Sequence, residues 1–279
     1  MQRFCNLCID LKYNKKWLMR VFMIKLKILV LFFIALMGLT NTASAETVRL
    51  APDDFVGITF WLISMGMLAA TAFFFMERSS VVPVWKTSIT IAGLITGIAF
   101  IHYMFLRDIW VQNGDAPTLY RYIEWLITMP LQMVVFYFIL GAVRKVSNRM
   151  FWRLLIGSLV MVVGGYLGAA EILPKMLGFA MWMAGWIYVL YEIFSGEAGR
   201  SAAKSGNKSF ATAFSVLRMI VTVGWAVYPL GYVFGNITSG IDANSLNVIY
   251  NLTDLINKIA FGLVIWAAAV SSGSGGRVR

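Results

Sequence analysis

The stretch Asn251-Leu-Thr-Asp254-Leu-Ile-Asn-Lys258 lies in the last of seven apolar segments in this 279-residue chain. It places a carboxylate and a lysine four residues apart, and this spacing puts both side chains on one face of a helix. A charge at the centre of a bilayer costs about 2.5–3.5 kcal/mol, so the pair needs an explanation. The residues alone allow two: a structural ion pair between packed helices, or a lysine that carries a cofactor as a Schiff base beside a carboxylate counter-ion.

The composition around this stretch is that of a membrane protein. Hydrophobic residues make up 59% of the chain, and the mean hydropathy is +0.75. Each apolar segment supplies the roughly 20 residues that cross a bilayer as a helix. We therefore predict an all-α membrane protein, a single seven-transmembrane-helix bundle. The predicted spans are 54–76, 86–107, 118–142, 151–170, 174–195, 209–235 and 245–270.

The net charge of +11 is concentrated at the N-terminus rather than spread over the chain. Residues 1–45 contain seven Lys or Arg and one acidic residue, whereas the remainder contains 17 basic and 12 acidic residues. This distribution indicates membrane topology and excludes nucleic-acid binding as the reason for the charge.

The N-terminal segment has the three parts of a secretory signal peptide. Lys25 and Lys27 form a basic region, residues 28–39 are apolar, and Ala43-Ser44-Ala45 is a small-residue cleavage site. The alternative is an uncleaved eighth span, for which the apolar core is short. The start codon, Met1 or Met23, stays open.

The leader also predicts the domain organisation and the orientation. Residues 1–45 form an N-terminal extension and cleaved signal peptide, and residues 46–279 form the seven-helix domain. Cleavage leaves the N-terminus outside, and seven spans then place the C-terminus in the cytoplasm. The predicted inner loops contain eleven Lys or Arg and the outer loops three, in agreement with the positive-inside rule. We expect the inner stretch 201–208 to be a flexible loop.

Five ionisable side chains lie well inside the predicted spans: His102, Arg121, Glu124, Asp254 and Lys258. Two carboxylates and two cations sum to zero, which a buried cluster needs in order to stay ionised. His102 is the only histidine, and one histidine rarely makes a metal site, so no metal is expected.

Aromatic residues follow three of the spans at helical spacing. Stripes of this kind usually serve packing, but three of them around a buried lysine indicate a rigid slot for a long, flat, apolar molecule. The three stripes are Trp125 with Thr128; Phe179, Trp182 and Trp186; and Trp225, Tyr228, Pro229 and Tyr232.

These residues resemble the pattern of the microbial rhodopsins, and most closely that of the blue-absorbing proteorhodopsins. The resemblance covers nearly the whole chain after the leader. It implies a seven-helix photoreceptor and ion transporter, not an enzyme, with all-trans retinal bound covalently to Lys258. The matching stretches are Phe60-Trp61-Leu62, Gly97-Ile-Ala-Phe-Ile-His102-Tyr103, Arg121-Tyr-Ile-Glu124-Trp125, Thr128-Met-Pro130, Gly224-Trp225-Ala-Val-Tyr228-Pro229 and Asn251 through Lys258.

The resemblance assigns a role to each ionisable residue. Lys258 forms the Schiff base, and Glu124 is the counter-ion and proton acceptor at a position where the family usually has Asp. Asp254 is the second counter-ion, and Arg121 lies on the extracellular side of both carboxylates. His102 is expected to hydrogen-bond Glu124.

The resemblance also assigns the cofactor slot. Gln132 goes with blue absorption, and Phe179 stands where antenna-carrying relatives have Gly, so no carotenoid is expected. The retinal-binding residues besides Lys258 are Trp125, Thr128, Gln132, Met161, Gly165, Trp186, Trp225, Tyr228, Pro229 and Tyr232.

One position departs from the pumps of this family. Val135 stands 11 residues after Glu124, about 16 Å along a helix, where proteorhodopsin pumps have the carboxylic acid that reprotonates the Schiff base. Valine cannot hold a proton, and neither Gln132 nor Met133 titrates. The nearest other acid to consider is Glu192, near the cytoplasmic end of the fifth span.

The leading interpretation is a light-driven outward proton pump with slow Schiff-base reprotonation. The alternatives are a photosensory or regulatory rhodopsin with a slow photocycle, an inward proton transporter, and a transporter or receptor without retinal. Chloride and sodium pumps replace the acceptor carboxylate, which Glu124 retains.

The resemblance implies the bacterial inner membrane as the location. The expected partners are membrane lipid, protons and further copies of the chain in a pentamer or hexamer, with a transducer if the protein is sensory. No residue decides the oligomeric state or the photocycle rate.

Overall fold

The computed structural model describes residues 51–274, so the predicted leader and its cleavage site lie outside the described residues. The described chain is helical and has no strand. Seven of its helical segments are long and apolar enough to cross a membrane, which confirms the predicted fold class. The spans are Phe55–Glu77, Pro83–Asn113, Thr118–Val143, Asn148–Ala169, Lys175–Ala203, Phe210–Ile237 and Ala243–Ser272.

Two spans extend well beyond their predicted ends. The second continues to Asn113 and ends where Gly114 adopts a φ of 68°, a left-handed conformation that glycine accepts without strain. The fifth breaks after Phe194 and resumes as a short helix, Glu197–Ala203. The prediction of a flexible loop over 201–208 was therefore wrong for residues 201–203, and also for residue 208, where the next helix begins.

Polar side chains define where the spans begin. Asp54 Oδ1 accepts the N–H of Gly57, and Asn207 Oδ1 accepts the N–H of Phe210. Each bond satisfies a backbone donor that the first turn of a helix leaves free. Before the seventh span, the hydroxyl and N–H of Ser245 donate to Asp242, and these bonds hold the pKa of that carboxyl below its usual range.

Small residues allow the fourth and fifth spans to pack with their backbones in close contact. A Cβ on Gly185 would lie 2.5 Å from the backbone nitrogen of Met161. A Cβ on Gly164 would lie 2.5 Å from the Cβ of Met181. The seventh span completes the bundle by packing against the first, second and sixth.

The sixth span is not a uniform α-helix. Its four parts are Lys208–Met219 (α), Ile220–Gly224 (π), Trp225–Tyr232 (α) and Val233–Ile237 (π). In the first π segment the carbonyl of Val221 accepts the indole N–H of Trp186 at 3.0 Å. This bond ties the fifth span to the sixth beside the aromatic interior.

Candidate functional site

The centre of the bundle holds a buried lysine between two carboxylates. Lys258 Nζ lies 2.8 Å from Asp254 Oδ2 and 3.3 Å from both carboxylate oxygens of Glu124. All three side chains are at least 98% buried. The third and seventh spans therefore bring together the residues that the sequence singled out. A buried charge of this kind is stable only when it is paired.

The two carboxylates differ in how many donors they have. Asp254 accepts hydrogen bonds from the hydroxyls of Tyr103 and Tyr228, and the indole N–H of Trp125 lies 3.4 Å away. Glu124 accepts one hydroxyl, from Thr128 at 2.7 Å. Since hydrogen bonds to a carboxylate stabilise its charged form, the surroundings of Asp254 favour the anion more than those of Glu124 do.

Arg121 is held by neutral groups rather than by either carboxylate. Its Nη1 donates to the hydroxyl of Tyr103 at 2.9 Å, and its Nη2 donates to Oδ1 of Asn247 at 2.8 Å and of Asn251 at 2.7 Å. Tyr103 in turn donates to Asp254. Arg121 is thus one hydroxyl away from Asp254, and the two cations balance the charge of the two carboxylates.

The polar chain continues beyond Arg121 towards the loops. Asn251 Nδ2 donates to the hydroxyl of Thr59, and Asn247 Nδ2 donates to the carbonyl of Ala116 in the loop between the second and third spans. Hydrogen bonds therefore run from Asp254 through Tyr103 and Arg121 to the end of the bundle where the third span begins.

The expected hydrogen bond between His102 and Glu124 is not formed. His102 Nε2 is buried without a hydrogen-bond partner within residues 51–274. The imidazole instead contacts the rings of Tyr103 and Phe105. Thr128 takes the hydroxyl contact with Glu124 because it lies one turn further along the same helix.

The residues expected to line the cofactor slot lie in the interior of the bundle. Trp125 contacts Tyr228 with ring centroids 5.0 Å apart, and Trp182 contacts Trp125 and Tyr232. Trp186 is the one aromatic member that is only partly buried. The buried members of the expected set are Trp125, Thr128, Gln132, Met161, Gly165, Trp225, Tyr228, Pro229 and Tyr232.

Sequence reasoning missed the groups that link the charged residues. Tyr103, Asn247 and Asn251 connect Arg121 to Asp254 and to the loops. The sequence of the seventh span could have predicted the role of the two asparagines, because positions 247, 251, 254 and 258 share one helix face. Tyr103 had no such signal beyond its place next to His102, since a tyrosine in an apolar segment is common.

Beyond Lys258, in the other half of the bundle, the interior around Val135 is apolar. Val135 and Phe136 are fully buried there. Phe136 contacts Phe214 and Phe261, with centroids 5.3 and 6.0 Å apart, and we call these three rings the phenylalanine cluster. Glu192 lies near the end of the helix Lys175–Phe194 and forms an ion pair with Arg153 at 3.0 Å. It is not one of the residues that contact the phenylalanine cluster through their rings.

Comparison with known proteins identifies this arrangement. Residues 54–272 match the family model of bacteriorhodopsin-like proteins, and the chain belongs to this family. It is similar to the blue-light absorbing proteorhodopsin of Gamma-proteobacterium Hot 75m4, with 50% identity over 80% of this chain and 89% of that protein. It is 46% identical to the green-light absorbing proteorhodopsin of Gamma-proteobacterium EBAC31A08, over 80% and 89% of the two chains. The crystal structure of blue light-absorbing proteorhodopsin from Med12 is 48% identical and superposes with a TM-score of 0.68, over 78% of this chain and 99% of that one.

The family implies retinal, and three features of the site fit it. Lys258 supplies a buried primary amine beside a carboxylate. Gly165 leaves no side chain against the faces of Trp182 and Tyr122, where a Cβ would lie 2.6 and 2.9 Å from the rings. Gln132 Nε2 is buried with no partner in the described part of the chain, as expected for an amide that faces a cofactor.

Proposed function

We propose that this protein is a light-driven outward proton pump that recovers slowly. The observation that carries the proposal is the position of Lys258 Nζ, within 3.3 Å of Glu124 and Asp254 and connected through Tyr103 to Arg121. The membership of the bacteriorhodopsin-like family and the similarity to proteorhodopsins support it.

Lys258 would hold all-trans retinal covalently through Nζ. When bound, retinal absorbs light and changes shape, which alters how strongly the nitrogen of Lys258 holds its proton. Trp125, Trp225 and Tyr228 are buried in the same interior, and we expect them to exclude water from the lysine. A dry site strengthens the electrostatic interaction between the nitrogen and the carboxylates. Gln132, by the resemblance, favours blue absorption.

Glu124 would accept the proton from Lys258. It is the carboxylate with fewer stabilising donors, while the two tyrosine hydroxyls keep Asp254 ionised as a fixed counter-charge. The nitrogen and the carboxylate oxygens are 3.3 Å apart, slightly longer than the roughly 2.6–3.2 Å of a direct proton transfer, and contacts of this kind commonly tighten when the site is loaded.

Arg121 would direct the proton outwards. Its positive charge lies on the side of the carboxylates where the third span begins, and Asn247 and Asn251 continue the hydrogen-bonded chain from there. Cleavage of the leader after residue 45 and the basic inner loops favour an orientation in which this end faces the outside.

Recovery would be slow because the return path lacks an acid. Val135 occupies the donor position, and the phenylalanine cluster separates Lys258 from the opposite end. Glu192 is not a substitute, since its carboxylate binds Arg153 and accepts the N–H of Ala198. The proton must then arrive from bulk water.

A photosensory protein is the second candidate, and Val135 is the observation that favours it, since a slow cycle prolongs a signalling state. Illumination of a suspension of unbuffered cells that contain the protein and retinal separates the candidates. An outward pump acidifies the medium, an inward transporter makes it alkaline, and a sensor leaves its pH unchanged. A protonophore that abolishes the change confirms that transport caused it.

The proposal places the protein in the bacterial inner membrane as a multi-pass protein, in contact with lipid and other copies of itself. We also expect no carotenoid, because by the resemblance Phe179, which stacks on Tyr232 at 5.7 Å, stands where antenna-carrying relatives have Gly.

A further inference from the structure

A two-part depression lies at the basic end of the bundle, between the fourth and fifth spans and away from the lysine site. One part is a polar cavity of about 470 Å³, and the other is an apolar groove of about 300 Å³. The two share the lining residues Arg153 and Tyr188, so they are adjacent. A polar head cavity joined to an apolar groove has the shape of a site for one phospholipid molecule.

The groove follows from the packing of small residues. Gly157 and Gly185 let the two helices touch, since a Cβ on Gly185 would lie 2.7 Å from the carbonyl oxygen of Gly157. Larger side chains form the walls, and Ala184 leaves space between them. The groove is lined by Trp152, Arg153, Ile156, Gly157, Val160, Ala184, Gly185 and Tyr188, and the section from 153 to 160 is about 10 Å long.

The aromatic residues place the polar cavity at headgroup depth. Tyr188 and Tyr191 are exposed and line this cavity, and the exposed Trp152 lines the adjacent groove. Tryptophan and tyrosine are enriched at the membrane–water interface, where the ring is buried in lipid and the polar atom is hydrated. The groove therefore starts at the interface and descends into the acyl-chain region.

The charges of the cavity define its ligand. Arg153 binds both Glu192 and Glu197, whereas Arg200 donates to the carbonyl of Ser195 and forms no ion pair within the described chain. Glu192 is 3% exposed, but Glu197 keeps 27% of its side chain accessible. Both oxygens of Glu197 already accept hydrogen bonds, from the N–H and hydroxyl of Ser147 and from Arg153, so a ligand can add a donor only at the exposed edge of the carboxylate. The cavity thus offers one cation that forms no ion pair in the described chain and one partly exposed carboxylate, and the four charged residues have a net charge of zero.

We propose that this depression binds a zwitterionic phospholipid with a primary ammonium group, phosphatidylethanolamine, with one acyl chain in the groove. The phosphate binds Arg200, and the ammonium group donates hydrogen bonds to Glu197. An anionic lipid satisfies the arginine but leaves the carboxylate opposed by like charge. Phosphatidylcholine has the same charges as phosphatidylethanolamine but no N–H to donate.

Native mass spectrometry of the full chain in detergent tests the proposal. The protein is incubated with equal amounts of phosphatidylethanolamine, phosphatidylcholine and phosphatidylglycerol that carry identical acyl chains. We expect phosphatidylethanolamine to be retained at least about threefold over each of the others. Equal retention of the three lipids, or preference for phosphatidylglycerol, overturns the proposal.

Four variants locate the binding. Arg200→Gln should reduce retention of phosphatidylethanolamine roughly tenfold, the effect of losing one charge-assisted hydrogen bond. Ala184→Phe should reduce it similarly by filling the groove. Their matched controls are Arg149→Gln, one turn before Arg153, and Ala180→Phe, one turn before Ala184, both exposed and outside the depression. If the control variants lose as much lipid as the test variants, the proposed location of the binding site is wrong.

Glu197→Gln tests the headgroup assignment separately. It keeps a hydrogen-bonding side chain of the same size but removes the negative charge, so the preference over phosphatidylcholine should disappear and phosphatidylglycerol should gain. An unchanged preference contradicts the role of Glu197. Circular dichroism and the thermal unfolding midpoint verify that each variant is folded before its lipid retention is compared.

Discussion

The two halves of the bundle on either side of Lys258 are built from different chemistry. On one side, hydrogen bonds join Asp254, Tyr103 and Arg121 to asparagines that reach the loops. On the other side, Val135 and the phenylalanine cluster fill the interior. Protons can be held and passed in the polar half, whereas the apolar half offers no side chain in this cluster that titrates. On the proposed function, this difference would let one protein release a proton readily and regain it slowly.

The largest effect is expected from replacing Lys258, the residue that lies between the two halves. Lys258→Ala should give a colourless protein with no light-induced pH change. The substitution removes the only primary amine in the interior of the described spans. Absorption spectra after incubation with retinal measure this directly. Lys175→Ala, at the exposed start of the fifth span, is the control that should keep its colour. A covalent pigment in the Lys258→Ala variant would contradict the proposal that retinal is bound to Lys258.

The next largest effect is expected in the polar half. Glu124→Gln removes the acceptor and should reduce light-driven proton release to background. A pair of charges at about 4 Å and an effective dielectric constant of about 20 interacts by about 4 kcal/mol, so losing the carboxylate should also shift absorption to the red. Both results come from one preparation, by spectroscopy and by pH recording. Pumping at the native level would show that Glu124 is not the acceptor.

A substitution in the apolar half should act on recovery alone. Val135→Glu places an acid at the donor position, and a positioned general acid contributes about 10²–10⁴-fold to proton transfer. Recovery followed by flash photolysis should accelerate accordingly, with little change in absorption. Glu192→Gln is the control, because its carboxylate is committed to Arg153, and it should leave the recovery rate unchanged. A slower recovery in that control would reveal a donor in Glu192.

The smallest effect should come from weakening the polar chain at one link. Asn251→Ala removes one acceptor from Arg121 and should lower the free energy of unfolding by about 2 kcal/mol, as expected for a hydrogen bond to a charged group. Thermal loss of the visible band measures it. Asn244→Ala, at an exposed position, should have no effect. Equal stability of the two variants would mean that these hydrogen bonds contribute little to the free energy of unfolding.

Much of the fold could be predicted from the sequence, because lipid imposes length and polarity on each span. The seven spans were predicted within a few residues, except where Gly114 and the break after Phe194 set the ends. Residues four apart in one helix, such as Asp254 and Lys258, were predicted to lie together and do. Local spacing decides such pairs, so tertiary structure is not needed.

Contacts between different spans were predicted less well. The link from Arg121 through Tyr103 to Asp254 joins three helices, and its formation depends on their rotation and depth. For the same reason, the predicted hydrogen bond from His102 to Glu124 was wrong. The imidazole contacts the rings of Tyr103 and Phe105 instead. Resemblance to a family gave the residues concerned, and only the coordinates show which of them touch.

The pH dependence of recovery in the unaltered protein tests the contrast between the two halves most directly. If the returning proton comes from bulk water, the recovery rate should fall by up to tenfold for each unit of rising pH between about 6 and 9, in proportion to the proton concentration. Flash photolysis at several pH values measures it. A fast rate that does not change with pH would contradict the proposal, because it would require a buried donor in the half of the bundle that holds Val135.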